Sequence, residues 1–320
     1  MAAELRLTKI VPSDGNTIDV EANLTIGTNL VQRAIDVTGN LTVGSNISGS
    51  GDVSIGGDII ADNISVRDTP TLDSHLITKG YLNDTTMMPQ GYIYGLEIAN
   101  GSTPDEQIDI AAGTCKDSTK AITLTLSAGT TIDITDAGAG GLDTGTVAND
   151  TWYYIWLIYS TSTGLTDAMF STSATSPTMP SGYDYKRRIR GAVLTDGTAD
   201  IITFNQKDNM FTFTSPFQDV AELNPGTSRV LATVSIPPNM IGQFILSALG
   251  GGVTYAWLRA VNQTDIVPSL TDFDVTGGGS YNTITKFVES DENSQIAYRT
   301  DVGTNDIHIF THGFIDPAQD

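Results

Sequence analysis

The stretch WYYIWLIY, Trp152–Tyr159, is apolar on both alternations of an extended chain. Trp152, Tyr154, Trp156 and Ile158 fall on one side, and Tyr153, Ile155, Leu157 and Tyr159 on the other, because successive strand side chains point to opposite faces. A strand with one wet face carries polar residues at every second position. This one carries none, so it is predicted to run through the middle of a sheet covered on both sides, with Trp156 inside. The competing use, an aromatic platform for stacking sugars, would occupy loops or a single face.

Similar but shorter runs surround it. Before it come IDIAAG, AITLTLSA and TIDITD; after it come AMFSTS, AVLTDG, IITFNQ and MFTFTS. Turn dipeptides such as Asn100-Gly101, Ser181-Gly182 and Asp196-Gly197 separate them. From Pro216 a further set begins with RVLATVSIPPN, GQFILSALGG and YAWLRAV, then NTITKFVES, SQIAYRT and DIHIFTHGFID, the pattern of a β-sandwich. No stretch after Gly91 has the period of a long helix. The reading is a mainly β chain with two β-sandwich-like modules, 87–215 and 216–320.

Composition narrows the function. Of 320 residues only 17% are charged and 32 are Gly, and the formal net charge is −21, spread evenly along the chain. A surface of one negative sign repels nucleic acid and anionic membrane, so neither is an expected partner. No window of about 18 apolar residues is present to span a membrane. The N-terminus MAAELRLTKIVPSDG lacks an apolar core, so no signal peptide is expected. The basic residues concentrate once, in YKRRIR, with Lys186, Arg187, Arg188 and Arg190. This cluster suits either an anion site or neutralisation of nearby carboxylates, and the second is expected. Cys115 is the only cysteine, which excludes an intrachain disulfide; it is expected as a small buried apolar residue.

The first 86 residues read differently. In NLTVGSNISGSGDVSIGGDIIADNISV, Asn40–Val66, the pairs Asn40-Leu41, Asn46-Ile47, Asp52-Val53, Asp58-Ile59 and Asn63-Ile64 recur at steps of 6, 6, 6 and 5. A period near six marks stacked β-helical units. Five buried aliphatics cannot offset the ordering of this stretch at about 1–2 kcal/mol per residue, so its partners should be other chains. A three-chain β-prism, one face from each chain, meets that need. LDSHLITKGYLND, residues 72–84, is the best helix candidate, with Asp73 or Ser74 as cap and a stripe of Leu72, Leu76, Ile77 and Tyr81.

No catalytic constellation emerges: no phosphate loop, no dinucleotide fingerprint and no nucleophile elbow. No catalytic residue, cofactor or metal site is assigned, and an enzyme is not expected. The histidines are His75, His308 and His312. His308, Phe310 and His312 alternate on one strand face and are expected on an ordinary strand edge; on a three-fold axis they would form rings of imidazoles.

Four stretches resemble tail-fibre and receptor-binding virion proteins of tailed phages. DTPTLDSHLITKGYLND is similar to their D-x-P…T-K-x-Y stretch at Pro70, Thr78, Lys79, Tyr81 and Asn83 or Asp84, departing at His75, Leu76 and Leu82. GNLTVGSNISGSGDVSIGGDI resembles their shaft repeats. The run from Gly141 to Gly197, which opens GLDTGTVANDTWYYIWLIYSTSTG, resembles a module that recurs in them. SQIAYRTDVGTNDIHIFTHGFID resembles their terminal strands, with Gly313-Phe314-Ile315-Asp316 where Gly-Trp-Ile-Asp is usual. The resemblance covers most of 38–316. It implies an elongated homotrimer located on the virion. Residues 1–37 would attach to other virion proteins of the tail, baseplate or capsid. Residues 38–86 would form a narrow shaft and a short helical collar, with the two β modules after it. The implied function is multivalent attachment to a host-surface glycan or protein. A head fibre or capsid decoration protein would use the same modules. A tailspike depolymerase would carry a long β-helix, whereas this repeat stops after Val66. Contact residues are sought in loops of the last module, LTDFDVTGGGSYNT and LGGGVTYAW, where Trp257, Asp272, Asp274 and Tyr281 suit sugar hydroxyls and rings.

Overall fold

The structure, a computed structural model, describes residues 91–317. The expectations for 1–37, for the 38–86 shaft with its repeat, and for the helix containing His75 lie outside the described residues. The described residues belong to one compact unit and hold eighteen strands and no α-helix.

Three antiparallel three-stranded sheets come first. β1 (Ile93–Gly95), β4 (Gly113–Lys116) and β5 (Thr123–Leu126) form one. β2 (Ile98–Asn100), β3 (Gln107–Ile110) and β6 (Thr130–Asp133) form a second, with β3 central. β7 (Trp152–Tyr159) lies between β8 (Thr166–Ser171) and β9 (Tyr185–Leu194) in the third. Every residue from Tyr153 to Ile158 is buried, on both faces, as the double apolar alternation required. Trp156 is 2% exposed, and its indole N–H donates to the Ser173 carbonyl at 3.0 Å.

Two larger sheets complete the described structure. The five-stranded one runs in the order β10 (Phe204–Lys207), β11 (Met210–Leu223), β18 (Asp306–Ile315), β13 (Ile241–Leu249), β16 (Asn282–Glu289). The four-stranded one runs β12 (Val230–Thr233), β17 (Gln295–Thr300), β14 (Thr254–Ala260), β15 (Val275–Gly277). Phe244, Leu246, Ile307 and Ile309 of the first join Ala256, Leu258, Ile296 and Tyr298 of the second in one apolar core. None of the described sheets closes into a barrel.

β18 corrects one expectation. It is an interior strand, hydrogen-bonded to β11 and β13, so His308 and His312 do not sit on a sheet edge. On its outward face the register aligns Gln218, Phe310, Ile245 and Thr285 in one row, and Ala221, His308, Ser247 and Thr283 in the next.

The expected division at 215/216 falls inside β11. This strand pairs with β10 and the end of β18 through Met210–Thr212, skips register, and resumes with β18 at Phe217. Pro216, which has no N–H to donate, occupies the skipped segment, where the ladder asks nothing of it. The chain thus crosses from one module to the other without leaving the sheet.

The far end of β18 fits tightly here. A Cβ at Gly313 would lie 1.9 Å from the Phe211 carbonyl oxygen, so only glycine allows this approach. Phe314 stacks on Phe211 at 5.0 Å and meets Trp152 edge-on at 5.5 Å. Asp316, fully buried, accepts from both terminal nitrogens of Arg188 at 3.2 and 3.3 Å and from the Gly191 amide at 2.7 Å.

A second bulge in β11, between Gln218 and Val220, turns Asp219 toward the 234–236 segment. Its carboxylate accepts from Ser235 Oγ at 2.6 Å, from the Ser235 amide at 3.2 Å, and from Thr311 Oγ1. Burial nevertheless pushes its pKa above 3.8, outweighing those bonds. A folded-state pKa above the unfolded value gives stability that is complete below the unfolded pKa and is lost as pH rises through the folded one. Asp184 and Asp196 act in the opposite sense, because Thr161 and Thr198 hydroxyls and backbone amides hold their pKa values down. Comparing wild type with Asp219→Asn isolates the first effect. Urea melts at several pH values from about 3 to 7 should show wild type losing stability relative to the variant as pH rises. A difference constant with pH, or growing with it, would show that Asp219 is not the group responsible.

Candidate functional site

The site grows out of β14. Ala256 and Leu258 point into the core, so Trp257 and Arg259 emerge on the outer face of the four-stranded sheet. Trp257 is nevertheless 0% exposed. The segment between β14 and β15, residues 261–274, folds back over it. The indole N–H donates to the Ile266 carbonyl at 2.7 Å, and Pro268 of the segment is buried.

Four cations hold this segment. Arg259 lies over the Trp257 ring at 4.8 Å, pairs with Asp272, and reaches the Thr264 carbonyl at 3.4 Å. Arg299 pairs with Asp265 at 2.7 Å. Arg229 donates to the carbonyls of Val261 at 2.5 Å, Gln263 at 3.3 Å and Ala260 at 3.4 Å. Lys286 binds Asp274 at 2.5 Å, and that carboxylate also accepts the Leu258 amide at 2.7 Å. These four are all the Lys and Arg between 216 and 320. Holding each segment residue still costs about 1–2 kcal/mol of backbone entropy. One half-exposed ion pair returns at most about 1 kcal/mol. A single pair therefore could not fix the segment; the buried indole bond, the packed proline and several guanidinium–carbonyl bonds act together.

The result is a fixed surface with two textures. Leu270, Val267 and Ile266 stand out, at 73%, 50% and 48% exposure. On the same segment a shallow, open depression of ≈490 Å³, the cleft of this site, is lined by Arg259, Asn262, Gln263, Thr264, Asp274 and Lys286. Its lining brings together guanidinium, amide, hydroxyl, carboxylate and ammonium groups. They supply both donors and acceptors, which is what a hydroxyl-rich ligand requires.

Three of the four expected contact residues meet here: Trp257, Asp272 and Asp274. Their roles differ from the expectation. Trp257 has no face free to stack on a sugar; its ring carries Arg259 and its N–H holds Ile266. Asp272 anchors Arg259, and of the three only Asp274 lines the cleft. Tyr281 lies elsewhere, half exposed on the outer face of the five-stranded sheet, with its hydroxyl 3.3 Å from His308 Nε2. The residues missed by sequence reasoning are Arg229, Arg259, Lys286, Arg299 and the 261–269 stretch. The available signal was the scarcity of cations in an acidic module.

The basic stretch YKRRIR opens β9, where Arg187 is buried and Lys186, Arg188 and Arg190 are partly exposed. Lys186 lies over Trp156 at 5.7 Å, Arg188 lies over Tyr154 at 5.3 Å, and Arg188 is neutralised by Asp316. A neighbouring cleft of ≈460 Å³ includes Arg188 and Asn239, but the Arg188 charge is already matched there. Cys115 is fully buried, and burial pushes its thiol up to about 12.

No protein-family model matches the chain, and no curated protein sequence matches it.

Trp257→Phe keeps an aromatic ring but removes the N–H together with the five-membered ring, leaving the Ile266 carbonyl without its partner beside a small cavity. We expect a loss of about 1–3 kcal/mol in urea unfolding. Cleavage by chymotrypsin at Leu270 or Phe273 should be faster. If the cleavage rate is unchanged, the indole does not hold the segment.

Proposed function

We propose that the chain is a non-enzymatic attachment protein of a tailed-phage virion, acting as a homotrimer that binds a host-surface glycan through the 261–274 segment and its cleft. The observation that carries the reading is the commitment of every Lys and Arg of residues 216–320 to this one segment. Loops that connect sandwich strands are usually left to move. Fixing one in advance lowers the ordering cost at the moment of binding. The polar cleft offers hydrogen bonds to sugar hydroxyls, and the exposed Ile266, Val267 and Leu270 offer apolar contact on the same segment.

The remaining parts of the proposal rest on the sequence resemblance. Residues 1–37 would join the chain to other virion proteins, and 38–86 would hold the β-rich part away from the particle. A single cleft with few fixed partners binds weakly. Three copies on one shaft multiply that weak contact through effective concentration, with no new interaction required.

The test is adsorption of labelled full-length protein to cells of the strain that the parent particle infects. Asn262→Trp places a large ring in the mouth of the cleft at an exposed position. Adsorption should fall at least tenfold while the melting curve is unchanged. Undiminished adsorption would remove the cleft from the receptor site. If the unmodified protein also fails to adsorb, the attachment reading itself fails.

A further inference from the structure

We infer that the outward face of the five-stranded sheet, centred on Phe310 and His308, is where copies of this chain meet one another. The inference shares with the attachment reading only the premise that several copies act together.

The first observation is charge. The two central rows that β11, β18, β13 and β16 present on this face contain Gln, Thr, Ser, Ala, His, Ile and Phe, and no Asp, Glu, Lys or Arg. Acidic groups return only toward the strand ends, at Asp306 of β18 and Glu289 of β16. The chain carries 37 acidic residues against 16 basic ones. Most surfaces of two copies would therefore bring carboxylates together with few cations between them, at several kcal/mol for close pairs. The middle of this face is where like can meet like without that penalty, and depletion of charge is what marks the centre of protein interfaces.

The second observation is apolar content in a central position. Phe310 and Ile245 are neighbours in one row, and Phe287 of β16 is 49% exposed on the same side. His308 occupies the next row: Gln218 Nε2 lies 2.9 Å from its Nδ1, and the Tyr281 hydroxyl lies 3.3 Å from its Nε2. These bonds hold the imidazole and the Tyr281 ring in place before any partner arrives.

The sequence points to a second copy as the occupant. The six-residue repeat of Asn40–Val66 has too few aliphatics to bury alone, so the expectation drawn from its sequence is that other chains complete it. Copies joined there bring their β modules to high local concentration. The rows are spread across four strands, and a like row from another copy presents the same uncharged groups in return.

Cross-linking in the full chain tests this directly. Thr285→Cys and Thr283→Cys place thiols on the face; Thr264→Cys places one on the exposed segment of the other sheet. The native thiol, Cys115, is buried and will not react. With a short bismaleimide, both face variants should give covalent multimers on denaturing gels and Thr264→Cys should not. Adding Phe287→Glu to Thr285→Cys should cut the product at least tenfold. Equal cross-linking at Thr264 would show mere collision and overturn the inference. So would face thiols that label freely without cross-linking. Face thiols that neither label nor cross-link would mean that a segment of the same chain covers the face, which also overturns it. None of these readouts involves a receptor, so they stand apart from the adsorption test.

Discussion

A buried carboxylate just past the last strand holds the two halves of the described structure together. Asp316 has no solvent exposure, and it follows a strand whose partners all lie in the C-terminal sheets. Its two oxygens take both terminal nitrogens of Arg188 and the amide of Gly191, all on β9 of the earlier module. An isolated carboxylate in such a place would cost many kcal/mol; matched by a bidentate guanidinium and an amide, it is tolerated only in one geometry. That requirement fixes where β18 ends. Phe314 then enters the ring cluster of Phe211 and Trp152, and Gly313 is forced to be glycine by the Phe211 carbonyl. The sequence Gly-Phe-Ile-Asp is thus one mechanical device: close approach, ring, paired strand, clasp.

Rigidity at that end supports a fixed surface elsewhere. β18 is the middle strand of the five-stranded sheet, and this sheet shares its core with the four-stranded one that carries β14. β14 supplies Trp257 and Arg259, on which the 261–274 segment rests. The module has four cations, and none is left over for general surface charge. The remaining surface stays acidic, in line with the formal net charge of −21. The cleft beside the segment is where that acidity is locally balanced.

Much of the fold was legible in single strands. The double alternation of Trp152–Tyr159 pointed to a central, covered strand because burial on two faces leaves no polar position to choose. The longer strands β13, β14, β17 and β18 were visible by their own composition. The three-residue strands β1, β2 and β15 were not, because so few residues carry no period. β11 was cut short at Pro216, since proline ordinarily ends a ladder; the bulge that excuses it depends on β18, nearly a hundred residues away. The candidate site was legible only in part. Trp257 was sought among exposed loop residues, yet it lies within β14 and is fully covered, because exposure depends on how the following segment folds back over that face. The pairing of one of the YKRRIR cations, Arg188, with a carboxylate agrees with the expectation from net charge, but its partner, Asp316, was not legible, because pairing across more than a hundred residues leaves no local trace.

The central claim is that residues 91–317 behave as one cooperative body closed by Asp316. Native-state hydrogen exchange, read by mass spectrometry on the full chain, tests it most directly. Peptides covering β7 and β9 and those covering β14 and β17 should open with the same free energy. In Asp316→Ala that shared value should drop, by about 3–5 kcal/mol, in both sets together. Separate opening free energies in the unmodified chain, or a drop confined to one set, would contradict the account.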